Sequence, residues 1–119
     1  MSKNVYWMLE LDLKEGRVDD LRALMNEMVE ATRENEPGAL GYEWSLSEDG
    51  TRCHIFEHYA NSEATMVHLA NFGEKYAGRF LEILSPTKFV VYGTPDQQVR
   101  EALAAFGASY MQPVGGFTR

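Results

Sequence analysis

The fold turns on residues 39–60, ALGYEWSLSEDGTRCHIFEHYA. Leu40, Tyr42, Trp44 and Leu46 alternate with Gly41, Glu43 and Ser45, a period of two that reads as a strand over 39–47. Cys53, Ile55, Glu57 and Tyr59 share one face of a second strand over 52–60, opposite His54, Phe56 and His58. Between them Ser47-Glu48-Asp49-Gly50 supplies an Asp-Gly hairpin turn. Neither strand has a cleanly polar face, so this hairpin requires cover on both sides.

Upstream, residues 5–13 alternate as well: Val5, Trp7, Leu9, Leu11 and Leu13 form one apolar face. Residues 17–35 switch to helical spacing through Val18, Leu21, Leu24, Met25, Met28, Val29 and Thr32. Glu36-Pro37-Gly38 ends that helix, because a residue before proline leaves helical geometry and glycine permits the reversal. Downstream, Asn61 or Ser62 caps a second helical region. The sequence predicts a break in it near Asn71–Gly73 and a further stripe of Phe72, Tyr76, Phe80 and Leu84. A strand over 87–93 follows. Thr94-Pro95-Asp96-Gln97 reads as a helix start with Thr94 as cap, Gly107 as its end, and Ser109–Gln112 as an edge strand.

The order β-α-β-β-α-β is that of the α+β, ferredoxin-like split βαβ arrangement, an antiparallel sheet with helices on one face. A C-terminal helix and tail follow. The 119 residues are expected to form a single domain, with a core over about 4–93 and an extension over 94–119. Apolar residues on the sheet's other face predict a homodimer that stacks two sheets.

Composition narrows the function. The 11 basic and 18 acidic residues give a net charge of −7, which opposes binding to nucleic acid or to anionic membrane surfaces. No apolar run approaches the length of a membrane span. Met1-Ser2-Lys3-Asn4 leads directly into the first strand without a signal-peptide pattern, so the expected compartment is the cytoplasm. The one cysteine, Cys53, excludes an internal disulfide and is expected to be a buried, inert thiol. No metal site is expected. His54 and His58 share a strand face but sit about 13 Å apart, too far to hold one ion. Gly115-Gly116 lacks the surroundings of a phosphate loop, and no dinucleotide-binding glycine pattern occurs.

The segments Glu36-Pro37-Gly38-Ala39-Leu40-Gly41-Tyr42-Glu43, Phe56-Glu57-His58-Tyr59-Ala60-Asn61, and Ala64 with His68-Leu69 resemble those of the antibiotic biosynthesis monooxygenase family. Its members are small dimeric α/β-barrel proteins. The resemblance spans roughly residues 4–93 and implies a cofactor-independent monooxygenase acting on a phenolic, quinol or polycyclic aromatic molecule. The family also has a heme-degrading branch. Where that branch carries its ligand histidine this chain has Gly78-Arg79, and where it carries a tryptophan this chain has His68, so no heme or other cofactor is expected.

Within that reading His68 is the candidate catalytic base, since an imidazole suits proton acceptance near neutral pH. With no second member of a dyad visible in the sequence, the preferred reading of the residue by itself is a buried histidine held by a carboxylate or carbonyl. Trp44, Phe56, His58, Tyr76 and Tyr92 are the candidate substrate-binding residues. With Phe72 and Phe80 they are expected to line an aromatic cavity between sheet and helices. Glu57 lies on the buried strand face and needs a partner or a raised pKa; it is readable as orienting a catalytic group or, the preferred reading, as pairing with an arginine across the dimer. The alternative function is a non-catalytic small-molecule-binding or structural homodimer of the same fold.

Overall fold

The computed structural model describes residues 3–119; Met1 and Ser2, and with them the reading of a leaderless start, lie outside the described residues. The elements run β1 (Val5–Leu13), α1 (Val18–Asn35), β2 (Ala39–Leu46), β3 (Arg52–Tyr59), α2 (Ser62–Lys75), α3 (Ala77–Ile83), β4 (Leu84–Gly93), α4 (Gln97–Leu103), a 3-10 turn over Ala104–Phe106, and β5 (Ser109–Tyr110). The strands form one sheet in the order β2-β3-β1-β4-β5. The first four are antiparallel neighbours, and β5 adds a short parallel edge against Val90 and Val91. This is the ferredoxin-like arrangement, with the sheet open rather than closed on itself within one chain.

Period two sorts the side chains. Val5, Trp7, Leu11 and Leu13 of β1, Cys53, Ile55 and Tyr59 of β3, and Phe89 and Val91 of β4 are buried beneath the helices. They form two adjoining clusters. One gathers Leu11, Ile55 and Cys53 with Leu21, Leu24 and Met28 of α1 and Phe80 and Ile83 of α3. The other gathers Val5, Trp7, Tyr59, Phe89 and Val91 with Val99 and Leu103 of α4. The C-terminal helix therefore seals one end of the helix-covered side. Leu9 packs against both clusters. The opposite face carries Tyr6, Met8, Phe56, His58, Val90 and Tyr92, all half-buried and without a helix over them.

Turn chemistry follows the sequence where it is local. Gly50 adopts a positive φ of 75° in the β2–β3 hairpin, and Asp49 accepts hydrogen bonds from the Thr51 backbone and hydroxyl. The Asn61 side chain accepts from the Ala64 amide as the α2 cap, an interaction worth about 1 kcal/mol. Gly38 lies so close to α2 that an added Cβ would sit 2.5 Å from Ala64 Cβ. This close approach docks the end of α1 onto α2.

Several boundaries differ from expectation; the edge strand is only Ser109–Tyr110, and the last helix turns 3-10 after Leu103. α2 runs through Gly73 without interruption, and the break falls at Tyr76, whose φ of −126° leaves helical geometry. A single glycine weakens a helix but does not end it when neighbouring turns stay bonded. β4 begins at Leu84, three residues early, and takes Pro86 into the strand. That stretch precedes the part paired with β5, so proline's missing N–H faces an unpaired edge. The register slips between Glu10 and Leu11, and Thr87 bonds the Glu10 carbonyl from the slipped position. Finally, Asp96 rather than Thr94 caps α4, accepting from the Val99 amide. Thr94 instead donates its backbone N–H to the Asn4 carbonyl and so belongs to the strand's end.

Candidate functional site

α1 ends at Glu36, held there by the proline and glycine that follow. Because Gly38 lets this corner pack against α2, the Glu36 side chain reaches His68, 32 positions away in sequence. Glu36 Oε1 lies 2.9 Å from His68 Nδ1, and its Oε2 accepts from Asn71 Nδ2 at 3.1 Å. From the sheet side, Glu57 on β3 brings its Oε1 to 3.2 Å from His68 Nε2. The Tyr59 hydroxyl, two residues along the same strand face, donates to that oxygen at 2.6 Å. The rings of Tyr42 and Tyr59 flank the imidazole at 5.3 and 5.0 Å. His68, Glu36 and Glu57 are only 5%, 6% and 6% exposed.

Burial alone would push the His68 pKa down, because it penalises the charged ring. Hydrogen bonds that the ring donates to Glu36 and Glu57, reinforced by their charges, outweigh it and raise the pKa to about 9. Burial opposes ionisation of Glu36 as well, yet the His68 hydrogen bond and charge, with Asn71, hold its pKa below the usual value. Tyr42 and Tyr59 are pushed well above the ordinary phenol range by burial and by the Glu57 charge. At neutral pH the His68 ring is thus held protonated between the Glu36 and Glu57 side chains, with neutral phenols around it.

This network forms part of the wall of a small cavity between sheet and helices, about 50 Å³ and partly open to solvent. Its remaining lining is almost wholly apolar, including Trp7, Leu9, Ile55, Leu69, Phe72 and Phe80.

The residues expected to share one cavity do not come together. His68, Phe72 and Phe80 line it. Trp44 lies on the same sheet face but packs edge-on against Phe80 and Tyr42, and lines a separate pocket beside α1 with Leu21 and Met25. Tyr76 sits at the α2–α3 junction beneath the Arg79 guanidinium. Phe56, His58 and Tyr92 point to the opposite face of the sheet. There Tyr6 stacks on Tyr92 at 5.3 Å and meets His58 and Phe56 edge-on or tilted. His58 Nε2 lies 2.7 Å from the Asn4 side-chain amide. Phe56 and His58 line a different opening, shared with Pro113 and Phe117 of the C-terminal tail.

Glu57 is paired with Tyr59 and His68 inside its own chain. Burial in an apolar environment pushes the Cys53 thiol up to about 11, in keeping with an inert side chain. Sequence reasoning missed Glu36, Tyr42, Tyr59 and Asn71. Polar residues on an otherwise apolar strand face, Glu57 and Tyr59, were the available signal; nothing local tied Glu36 to His68. Among the described residues no group of three His, Cys, Asp or Glu is placed to hold a metal ion, and no helix is long and apolar enough to cross a membrane.

Comparisons with known proteins give the fold and the family. In solved structures, MupZ from Pseudomonas fluorescens superposes with a TM-score of 0.86 at 23% identity, covering 99% of this chain and 96% of that one. Rv0793 from Mycobacterium tuberculosis gives 0.66 at 26% identity, covering 79% of this chain and 97% of that one. A Nitrosomonas europaea protein, provisionally named an antibiotic biosynthesis monooxygenase, gives 0.68 at 17%, covering 78% and 91%. MupZ thus matches through the C-terminal extension, whereas the other two match a shorter part of the chain. No curated protein matches the sequence. The family profile described as antibiotic biosynthesis monooxygenase matches residues 4–75, a span that contains Glu36, Tyr42, Glu57, Tyr59 and His68, and the chain belongs to that family.

Proposed function

We propose that the protein is a cofactor-independent monooxygenase that takes a phenolic, quinol or polycyclic aromatic molecule into the cavity beneath the helices. The observation that carries this reading is a buried proton-holding network set into an otherwise apolar wall. Such a wall excludes water and favours a flat ring system, while the network offers one polar anchor. Ionising a ring hydroxyl there makes the substrate electron-rich enough to reduce dioxygen itself. For a substrate with a methylene in the ring, the methylene becomes a carbonyl. One oxygen atom enters the product and the other leaves as water, so the substrate supplies every electron.

We further propose that the protein works as a homodimer. Members of the family are typically dimeric. In this chain the helix-free face carries Tyr6, Met8, Phe56, Val90 and Tyr92, an aromatic and aliphatic surface suited to a second sheet. Sedimentation at micromolar concentration is expected to give about twice the 13.5 kDa chain mass; a species at the chain mass would contradict this.

Oxygen uptake by the pure protein with a panel of hydroquinones and anthrones tests the activity. The expected result is uptake above the protein-free rate for at least one of them, with no added flavin, metal or nicotinamide. Saturable binding with no uptake for any would favour the rival reading, a binding protein of the same fold.

A further inference from the structure

The network has one loose end. His68 commits both ring nitrogens, Nδ1 to Glu36 and Nε2 to Glu57. Glu36 is engaged on both oxygens, by His68 and by Asn71. Glu57 differs. Its Oε1 receives both the Tyr59 hydroxyl and His68, while no described residue donates to its Oε2. Glu57 also lines the cavity, among leucine, isoleucine and aromatic side chains. A carboxylate oxygen in such surroundings is strongly stabilised by any donor that reaches it.

We propose that Glu57 Oε2, rather than His68, is the atom that receives the ligand, accepting a hydrogen bond from the hydroxyl of an uncharged, otherwise apolar aromatic. His68 acts through it as a positioning residue, fixing the other oxygen. The inference rests on the cavity being the ligand site proposed above. It also adds a specificity rule. The oxygen offered to the ligand is an acceptor, so a hydroxyl that donates is accepted, whereas a carboxylate or phosphate, which brings a second charged acceptor to it, is not. The His68 ring, held protonated at neutral pH, has no lone pair with which to take a proton. If the bound hydroxyl ionises, its O–H bond breaks, the proton goes to Glu57 Oε2, and the electron pair stays on the substrate oxygen.

Three probes at pH 7 test this: 1-naphthol, naphthalene and 1-naphthoate, followed by the methyl NMR shifts of Leu9, Ile55 and Leu69, which line the cavity. 1-Naphthol is expected to bind about tenfold tighter than either of the others. Glu57→Gln removes most of the discrimination against 1-naphthoate and the advantage over naphthalene. In the wild-type complex the His68 ring stays protonated on both nitrogens by ¹⁵N NMR. Equal affinity for 1-naphthoate, an unchanged preference in Glu57→Gln, or loss of a ring proton on binding would each overturn the assignment. Should Glu57→Gln not fold, the wild-type ranking and the ring signal decide alone. Oxygen uptake is a separate readout. The predicted ranking without uptake sustains the Glu57 assignment and removes the oxygenase reading. Uptake by Glu57→Gln at the wild-type rate sustains the oxygenase and removes Glu57.

Discussion

Both sides of the sheet gather aromatic rings about a histidine, His68 of α2 on the covered side and His58 of β3 on the open one, and the two sets are built differently. Under the helices, His68 is clamped by Glu36 and Glu57, and every ring beside it packs against further core. On the other face, His58 has an amide for its neighbour, and Tyr6, Phe56 and Tyr92 pack chiefly on one another, half-exposed. The first set encloses a cavity; the second presents a surface. An imidazole and a few aromatic rings therefore say little about function until the neighbours are known. Two carboxylates turn one histidine into a fixed cation, and the second, without them, belongs to a face suited to assembly.

The sharpest way to break this contrast is to remove a carboxylate from the covered side. Glu36→Ala leaves the buried imidazolium with one partner and Asn71 with none. It is expected to cost about 3 kcal/mol in denaturant unfolding. Phe56→Ser on the open face should cost the protomer far less and act on association. Equal losses in the two variants would erase the distinction.

The pH dependence follows from the same clamp. The His68 pKa rises from 6.5 unfolded to about 9 folded, so its contribution is complete below pH 6.5 and is lost as pH climbs through about 9. Across that window the folded chain holds a proton that the unfolded chain has released, and stability falls. The full effect is on the order of 3 kcal/mol. The groups facing the ring are Glu36 from the end of α1, Glu57 and Tyr59 from β3, and Tyr42 from β2; both tyrosines ionise well above the window. Urea unfolding from pH 6 to 9.5 should show the decline in the wild type and a much flatter profile in His68→Gln. Glu36 governs the acid side: its contribution is present above pH 4.5 and is lost as pH falls through its lowered folded value.

A smaller effect, roughly 1–3 kcal/mol, is expected for Gly38→Ala, whose new methyl meets Ala64. Ala64→Gly should recover part of it in a double-mutant cycle, because the clash is between these two carbons. No recovery would mean that Gly38 matters for some reason other than the α1–α2 contact.

Elements were legible in the sequence wherever the determinant was local. The Asp-Gly hairpin, the alternation of β1, the Glu36-Pro37-Gly38 stop and the Asn61 cap each rest on a few adjacent residues. The site was not legible, because it is assembled from three places by packing. Glu36 reads as the end of a helix, and only the close approach of Gly38 to Ala64 delivers it to His68. The grouping of Trp44 with Phe56 failed for a different reason. Alternation already separated Phe56 from Ile55, but the cross-strand register, Trp44 opposite Ile55 and Glu43 opposite Phe56, was needed to show that the two rings face opposite ways. Tyr92 was ambiguous because Phe89-Val90-Val91-Tyr92 is apolar on both sides.

The most direct measurement is a pH titration of the three histidine rings by ¹⁵N NMR. One ring, lost from the spectrum in His68→Gln, is expected to carry protons on both nitrogens at pH 7 and to titrate near 9. A His68 ring that is neutral at pH 7, with one bare nitrogen, would contradict this expectation.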